Sequence, residues 1–181
     1  LEHRYPKREP DIGEVVFKVE DWSVYHPQHA DRQVIKNVDF QVRRGEIVGI
    51  AGLMGAGRTE FAMSLFGRSW GRNITGRALL HGREIDLSTV SRAIDAGLAY
   101  VTEDRKQLGL LLAEDIRKNI TLGNLRAVAP GGVIDDLREL EVANGYRSRM
   151  HIRSSDVYQM AGNLSGGNQQ KVVLSKWLFT D

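Results

Sequence analysis

The sequence predicts an α/β fold, with an antiparallel β layer, a parallel core and a helical subdomain. Three observations lead to this prediction. An early apolar segment is followed by a second segment that approaches the alternation of apolar and polar residues that half-buried strands show. A short apolar run then enters a glycine-rich loop that is followed by a helical pattern. The last third of the chain carries apolar residues mostly at helical spacing, which favours a helical region there.

The first half of the chain should form the β layer and the start of the core. Apolar runs bounded by turn residues predict strands, and a run with 3.6-residue spacing predicts a helix. The predicted elements are strands at 14–19 and 34–42, a buried strand at 47–51, a helix at 59–66 with Phe61, Leu65 and Phe66 on one side, and a hairpin at 76–85 turning at His81-Gly82.

The second half should be mainly helical after one more buried strand. The predicted elements are a helix at 88–96, a strand at 98–101, a helical stretch at 116–153 broken at Pro130-Gly131-Gly132, and a last helix at 167–179. Leu137, Leu140 and Val142 are expected to form the apolar face of the helical stretch, and Lys171 and Lys176 are expected to be solvated. Residues 1–13 are interpreted as an inter-domain linker and 14–181 as one domain.

The amino-acid composition excludes several classes of protein. The chain has 181 residues, a formal charge of +2 and no cysteine. The absence of cysteine excludes a disulfide scaffold and a thiolate metal site. No dense basic block with aromatic residues occurs, so no nucleic acid is expected as a partner. No apolar run approaches the ~18 residues that a membrane-spanning helix needs.

The segment Gly52 to Thr59 fits the phosphate-loop pattern G-x-x-x-x-G-K-[ST] except that Arg58 replaces lysine. Glycines permit positive φ and expose N–H groups to an anion, and the helix that follows adds the positive end of its dipole. The predicted nucleotide-binding residues are Gly52, Gly55, Ala56, Gly57, Arg58 and Thr59, with the Thr59 hydroxyl as ligand of Mg²⁺. The alternative is a tight strand–helix turn that only needs glycine.

Arg58 is the one departure in that loop. Lysine bridges phosphates as a compact point charge, whereas arginine is longer, planar and forked. We therefore expect weakened nucleotide binding and poor hydrolysis at this loop.

A second glycine cluster, Leu164 to Lys171, precedes the last helix. Its Ser165 hydroxyl and the N–H groups of Gly166 and Gly167 would form a second anion site at a helix N-terminus. Leu-Ser-Gly-Gly alone is often only a helix cap with a flexible entry, but the whole octet is far more specific.

These motifs carry a resemblance to a known family. The chain resembles the ATP-binding subunit of ABC importers for monosaccharides, and more narrowly its second nucleotide-binding half, where arginine at the position of Arg58 is typical. The similar stretches are 45–47, 49–60, 103–106, 118–122, 164–171 and the linker-like Tyr5–Pro10. The last third is most similar to the xylose or multiple-sugar branch.

The resemblance implies a P-loop NTPase of the ABC type, with ATP and Mg²⁺ as cofactors. Two halves meet head to tail, so Ser165, Gly166, Gly167 and Gln169 would face ATP held by the partner half. That partner is the first half of the same subunit or a second copy. Transmembrane permease subunits are the other implied partners, which places the protein peripherally on the cytoplasmic face of the inner membrane.

The resemblance also assigns two further positions. Tyr25 fits the aromatic residue that stacks on adenine, with Trp22 as second candidate, although both residues would also fit the core of the β layer. Glu103 occupies the position of the Q-loop glutamine, yet it could equally be part of a solvated charge run. His26 and His29 with Asp31 are better explained as an exposed loop than as a metal site.

Family members continue after the signature helix into a strand ending in Asp-Glu, which supplies the catalytic base. Two acidic segments, 110–115 and 133–136, stand before the signature and are in the wrong order for that role. We therefore expect the chain to stop before this strand, to carry no catalytic residue of its own, and to leave apolar surface of its parallel core uncovered.

Three alternatives to a transporter motor compete for the same motifs. In the first alternative, the chain is a regulatory nucleotide-binding module whose loop senses nucleotide without turnover. A small GTPase is disfavoured because no Asn-Lys pair exists for the N-K-x-D guanine motif, and a small kinase would not need Leu164 to Lys171.

Overall fold

The computed structural model describes residues 10–180 and divides the chain into two compact units, one up to Leu98 and one from Ala99. Most of the predicted linker, residues 1–9, lies outside the described residues. Gly13 donates its N–H to the Arg44 carbonyl at 3.0 Å, so the start of the described chain is already joined to the first unit.

The first unit is built on a four-stranded antiparallel sheet with spatial order β2-β1-β3-β4. The antiparallel layer is therefore confirmed, and so is the hairpin at His81-Gly82, where both residues take positive φ. Its strands and helices are β1 Val15–Tyr25, β2 Gln33–Arg43, α1 Arg58–Leu65, β3 Arg72–Leu80, β4 Arg83–Ile85 and α2 Val90–Asp95.

One buried hydrogen bond joins this sheet to α1. The Trp22 indole N–H on β1 donates to the Ser64 hydroxyl at 2.9 Å, and that hydroxyl donates in turn to the Phe61 carbonyl at 2.7 Å. Phe61, Leu65 and Phe66 are all buried, as their spacing predicts. The helix is thereby fixed on the sheet by apolar contact and by a fully paired polar chain.

The predicted strand at 47–51 is not formed, because this segment has no regular secondary structure. Ile47 is 94% exposed and Met54, in the loop beyond, is 99% exposed. A strand needs a neighbour that accepts and donates along its backbone, and none among residues 10–180 pairs with this segment.

The predicted strand at 98–101 is also not formed. Gly97 has φ +90° and ends α2, and the Leu98 N–H donates to the Ala93 carbonyl at 2.9 Å. Val101 is 52% exposed. The Leu98 N–H is therefore used to close the end of α2. The other residues of the predicted strand, 99–101, have no paired strand in the described chain.

The second unit is helical and encloses one apolar core. Its elements are a π-helical turn at Arg105–Gly109, α3 Ile116–Thr121, α4 Leu125–Val128, α5 Asp136–Arg149, α6 Gly166–Leu178 and 3₁₀ turns at Leu122–Asn124, Pro130–Gly132 and Ala161–Asn163. The core consists of Leu110, Ile116, Ile120, Ile152, Leu164, Val172 and Val173. The predicted break at Pro130–Gly132 and the last helix are confirmed.

The two acidic segments before the signature have capping roles. Asp115 accepts from the Lys118 N–H at 2.8 Å and caps α3. Asp135 accepts from the N–H groups of Leu137 and Arg138 at 3.1 Å and caps α5. Short acidic side chains before a helix are typical of this structural role.

The predicted apolar face of α5 is partly wrong. Leu137 is 80% exposed, whereas Glu139 is 3% exposed. The Glu139 carboxylate accepts from the Thr121 hydroxyl at 2.7 Å and pairs with Arg117 at 3.2 Å. The helix therefore turns a charged residue inward, because its partners on α3 compensate the cost of burial. No helix among residues 10–180 has both the length and the apolar composition that a membrane span requires.

Candidate functional site

The glycine loop Gly52 to Thr59 is formed by turns rather than by side-chain packing. Gly55 and Gly57 have φ +79° and +85°, which L-residues rarely adopt. The Ala56 N–H donates to the Leu53 carbonyl at 3.0 Å and closes a turn before α1. Gly52 and Ala56 are also close, since a Cβ on Gly52 would lie 3.0 Å from the Ala56 Cβ.

Gly57 fixes where α1 begins. A Cβ at this position would lie 2.9 Å from the Ile35 Cδ1 on β2, so only glycine lets the helix start so close to the sheet. This requirement adds to the positive φ. The contact with β2 therefore fixes the position of the loop within the first unit.

The loop presents free hydrogen-bond donors. Gly57 precedes α1 without a side-chain cap. Within residues 10–180, no acceptor is bonded to the backbone N–H of Gly55, Gly57, Arg58 or Thr59. All four groups lie at the positive end of the helix dipole, and Gly55, Arg58 and Thr59 are exposed whereas Gly57 is buried against β2, so the loop fits an anionic phosphate group.

Arg58 and Thr59 are both exposed in the first turn of α1. The Arg58 side chain lies beside the first glycine of the loop, because a Cβ on Gly52 would be 3.6 Å from its Cδ and 3.7 Å from its Nε. The Thr59 hydroxyl is free of any hydrogen bond within the described chain. Both side chains can therefore turn to a ligand at the loop.

The structure separates the two aromatic candidates for adenine stacking. Trp22 is 2% exposed and its N–H is bonded to Ser64, so it belongs to the core. Tyr25 is half-buried at the end of β1, opposite Gln33 and Arg72. Of the two residues, only Tyr25 is partly exposed, as a stacking residue requires.

The neighbouring histidines are part of a turn. The His26 and His29 rings lie 4.8 Å apart, and His26 Nδ1 accepts the Gln28 N–H at 3.1 Å. The described residues contain no cluster of His, Asp and Glu that could hold a metal ion.

The second glycine cluster forms the N-terminus of α6, a helix of 13 residues. Ser165 is the N-cap residue, and its side chain makes no hydrogen bond to the N–H groups of the helix. Ser165 and Gly167 are exposed. Within the described chain, the N–H groups of Gly166 and Gly167 are without acceptors, so this helix end also offers donors to an anion.

Gly166 makes a close contact with the end of the Arg105 side chain. A Cβ on it would lie 2.8 Å from the Arg105 Nη2. Arg105 is in turn bonded through its Nε to Gln169 Oε1 at 3.1 Å. The π-helical turn therefore lies directly against the start of α6.

Gln169 differs from the other signature residues, because the structure places it in the interior. Its side chain is 4% exposed, and its Nε2 donates to the Ala161 carbonyl at 3.1 Å. Both ends of the amide are thus bonded within the second unit. Gln169 can support the signature segment from behind, but it does not present its amide at the surface.

Glu103 is exposed just before the π-helical turn, at the position predicted for the Q-loop. The next residue, Asp104, caps that turn by accepting from the N–H groups of Lys106 and Gln107 at 3.0 and 3.1 Å. The charge run is therefore partly structural, and Glu103 is left accessible to a ligand or a partner.

Sequence reasoning missed three polar residues of the second unit. Lys176 was expected in solvent but is 8% exposed, and its ammonium donates to the Gly109 carbonyl at 2.6 Å. Arg105 and Asn168 bond residues far away in the sequence. No local sequence pattern predicts any of these contacts. The motif around Asn168 indicates a functional segment but not the hydrogen bonds that Asn168 makes.

Comparison with known proteins agrees with this geometry. The family model described as ABC transporter matches residues 35–181. The chain is 55% identical over its whole length to the L-arabinose transport ATP-binding protein AraG of Geobacillus stearothermophilus. It is 44% identical to the xylose import ATP-binding protein XylG of Thermoanaerobacter pseudethanolicus over all of the chain, and to the ribose import ATP-binding protein RbsA of Bacillus subtilis over 98% of it.

The chain spans about a third of the length of these relatives, between 34% and 36%. Among solved structures, cbiO1 of Clostridium perfringens superimposes with a TM-score of 0.65 at 19% identity, covering 93% of this chain and 62% of that one. A bacterial Atm1-family ABC exporter gives 0.61 at 23% identity, covering 97% and 29%. These likenesses confirm the predicted fold class.

Proposed function

Because the chain belongs to the ABC transporter ATP-binding family, we propose that it is one nucleotide-binding half of a sugar import ATPase, and specifically the second half. Two facts support this proposal. Relatives named above are ATP-binding proteins of L-arabinose transport and xylose import. Its phosphate loop also carries Arg58 in place of lysine, which agrees with the expectation for a second half.

The phosphate loop binds the polyphosphate of ATP. Backbone N–H groups of Gly55, Gly57, Arg58 and Thr59 donate to it, and the donors without acceptors at this helix end are the observation that carries the proposal. Gly52 and Ala56 shape the loop, and the Thr59 hydroxyl ligates the accompanying Mg²⁺.

Further residues complete that site. Tyr25 offers an accessible ring face to adenine. Glu103, which is exposed in the second unit, is proposed to meet a transmembrane partner. Arg58 holds a phosphate less closely than lysine does, which makes this loop a degenerate one with weak binding and poor hydrolysis.

The signature segment serves the ATP of the partner half. Ser165, Gly166 and Gly167 supply the exposed donors at the N-terminus of α6. Gln169 supports them from the core. Turnover in this arrangement belongs to the assembled pair of halves, and the chain supplies one side of its competent site.

The relatives support a proposal for the substrate. Those named above are ATP-binding proteins of L-arabinose transport, xylose import and ribose import, so we propose a monosaccharide, and more narrowly a pentose, as cargo. The partners are the first half of the same subunit or a second copy, together with permease subunits at the cytoplasmic face of the membrane.

The test is ATPase turnover of the complete subunit assembled with its permease. Ser165→Phe fills the space above the signature segment and should lower kcat by about 100-fold or more. Ser148→Phe places the same bulk on an exposed position of α5 and should leave kcat unchanged. Unchanged turnover in Ser165→Phe, with ATP still bound by the loop, would instead favour a regulatory nucleotide-binding module.

A further inference from the structure

Asn168, in the first turn of α6, is bonded at both ends of its side-chain amide. Its Nδ2 donates to the Ser165 Oγ at 3.0 Å. Its Oδ1 accepts the backbone N–H of Arg153 at 3.0 Å. The residue therefore connects the serine of the signature segment to the loop that follows α5.

The Arg153 contact decides which way the amide faces. A backbone N–H can only donate, so the amide oxygen must point to it and the NH₂ group must point to Ser165. The Ser165 oxygen consequently accepts a hydrogen bond from Asn168. Its own proton cannot lie on that line and must point elsewhere.

No competing use of the Ser165 hydroxyl occurs in residues 10–180. It does not cap α6, and it makes no other hydrogen bond. Ser165 is exposed, and the unpaired N–H groups of Gly166 and Gly167 lie at the same helix end. An anion there would meet donors from the backbone, and it gains a third donor if the serine proton also faces it.

We infer that Asn168 is a positioning residue that makes Ser165 a hydrogen-bond donor toward a phosphate oxygen of the nucleotide held by the partner half. This inference rests on the trans role of the signature segment proposed above. Asn168 acts through Ser165 and need not touch the nucleotide itself.

The inference predicts that Asn168→Asp loses more turnover than Asn168→Ala. A purely structural role of Asn168 predicts the opposite order. Asn168→Asp keeps the shape and still accepts the Arg153 N–H, but it cannot donate to Ser165. The serine proton then turns to the carboxylate, and the phosphate meets a serine lone pair. Asn168→Ala loses both bonds but leaves the serine proton free to rotate toward phosphate.

The measurement is kcat for ATP hydrolysis by the complete subunit assembled with its permease. We expect Asn168→Asp to lose about 10- to 100-fold, as for one hydrogen bond to a charged group, and Asn168→Ala to lose less. If Asn168 only anchored the Arg153 loop, Asn168→Ala would be the more damaged of the two. That order would overturn the inference.

A double-mutant cycle separates orientation from the charge that Asp introduces. In the Ser165→Ala background there is no hydroxyl to orient, so Asn168→Asp should cost less than about 3-fold. An equal loss in both backgrounds would assign the effect to charge or folding and overturn the inference alone. A Ser165→Ala variant with full turnover would overturn the trans role itself, and the inference with it.

Discussion

The Lys176 ammonium donates to the Gly109 backbone carbonyl at 2.6 Å in a buried position of the second unit. The other end of the same π-helical turn is bonded through Arg105 to Gln169. The turn is thus held against α6 at both ends. Glu103, the candidate Q-loop residue, lies just before this turn and is exposed.

Lys176→Met should change the alkaline pH dependence of stability. Burial lowers the pKa of Lys176 below its ordinary value of 10.5. Between the lowered pKa and 10.5 the unfolded chain binds more protons than the folded one, so the free energy of unfolding rises with pH in that window. The variant should lack this rise, and it should lose about 1–3 kcal/mol because the Gly109 carbonyl loses its donor.

Urea unfolding at a series of alkaline pH values measures both effects. Lys171→Met is the matched control, because Lys171 lies on the same helix and bonds the exposed His151 carbonyl. The control keeps Lys176 and should keep the rise. An equal rise in Lys176→Met would show that another group is responsible.

Ser64→Ala should destabilise the first unit through Trp22. The substitution leaves the buried indole N–H without an acceptor, which costs about 1–3 kcal/mol. Ser69→Ala is the control, since the Ser69 hydroxyl donates to the Met63 carbonyl at an exposed position where water can replace it. Urea unfolding should give a clearly lower midpoint for Ser64→Ala alone, and equal midpoints would contradict a structural role of the bond.

Local rules account for what the sequence predicted correctly. The loop at Gly55 and Gly57 depends on backbone angles that glycine favours, and α6 depends on the helical spacing of its apolar residues. Both can be predicted without knowledge of long-range contacts. The strand predicted at 47–51 depends on a neighbour, which the described residues do not provide.

Long-range pairing accounts for what the sequence could not predict. Glu139 is buried because Thr121 and Arg117 lie beside it, 18 and 22 positions earlier in the chain. Asn168 meets Arg153 across 15 positions. A charged or amide residue on a helix is normally solvated, so its burial becomes visible only when its partner is known.

Gly57→Ala should damage the phosphate loop more than Gly55→Ala. Both positions have similar positive φ, and both alanines are strained for that reason. Only the Cβ at position 57 also meets Ile35 Cδ1, at 2.9 Å, whereas the surroundings of Gly55 are open. We expect roughly 1–3 kcal/mol of additional destabilisation from this overpacking.

Ile35→Val tests that explanation, because it removes the contacting Cδ1 atom. Combined with Gly57→Ala, it should recover part of the loss, although alone it costs about 0.5–1.5 kcal/mol. The measurements are urea unfolding and ATP affinity by titration calorimetry. Strictly additive losses in the double variant would mean that the contact with β2 does not limit the loop.

Arg58→Lys should strengthen ATP binding to this half, if the loop binds nucleotide as proposed. Lysine presents a compact charge between phosphates, whereas the forked guanidinium takes a different position. We expect about a 10-fold lower Kd in the complete subunit, which corresponds to roughly 1.4 kcal/mol. Arg58→Ala removes the cation and should bind more weakly than the natural chain. A Kd unchanged by lysine but raised by alanine would mean that arginine replaces lysine fully, and a Kd unchanged in both variants would mean that position 58 does not contact the phosphates.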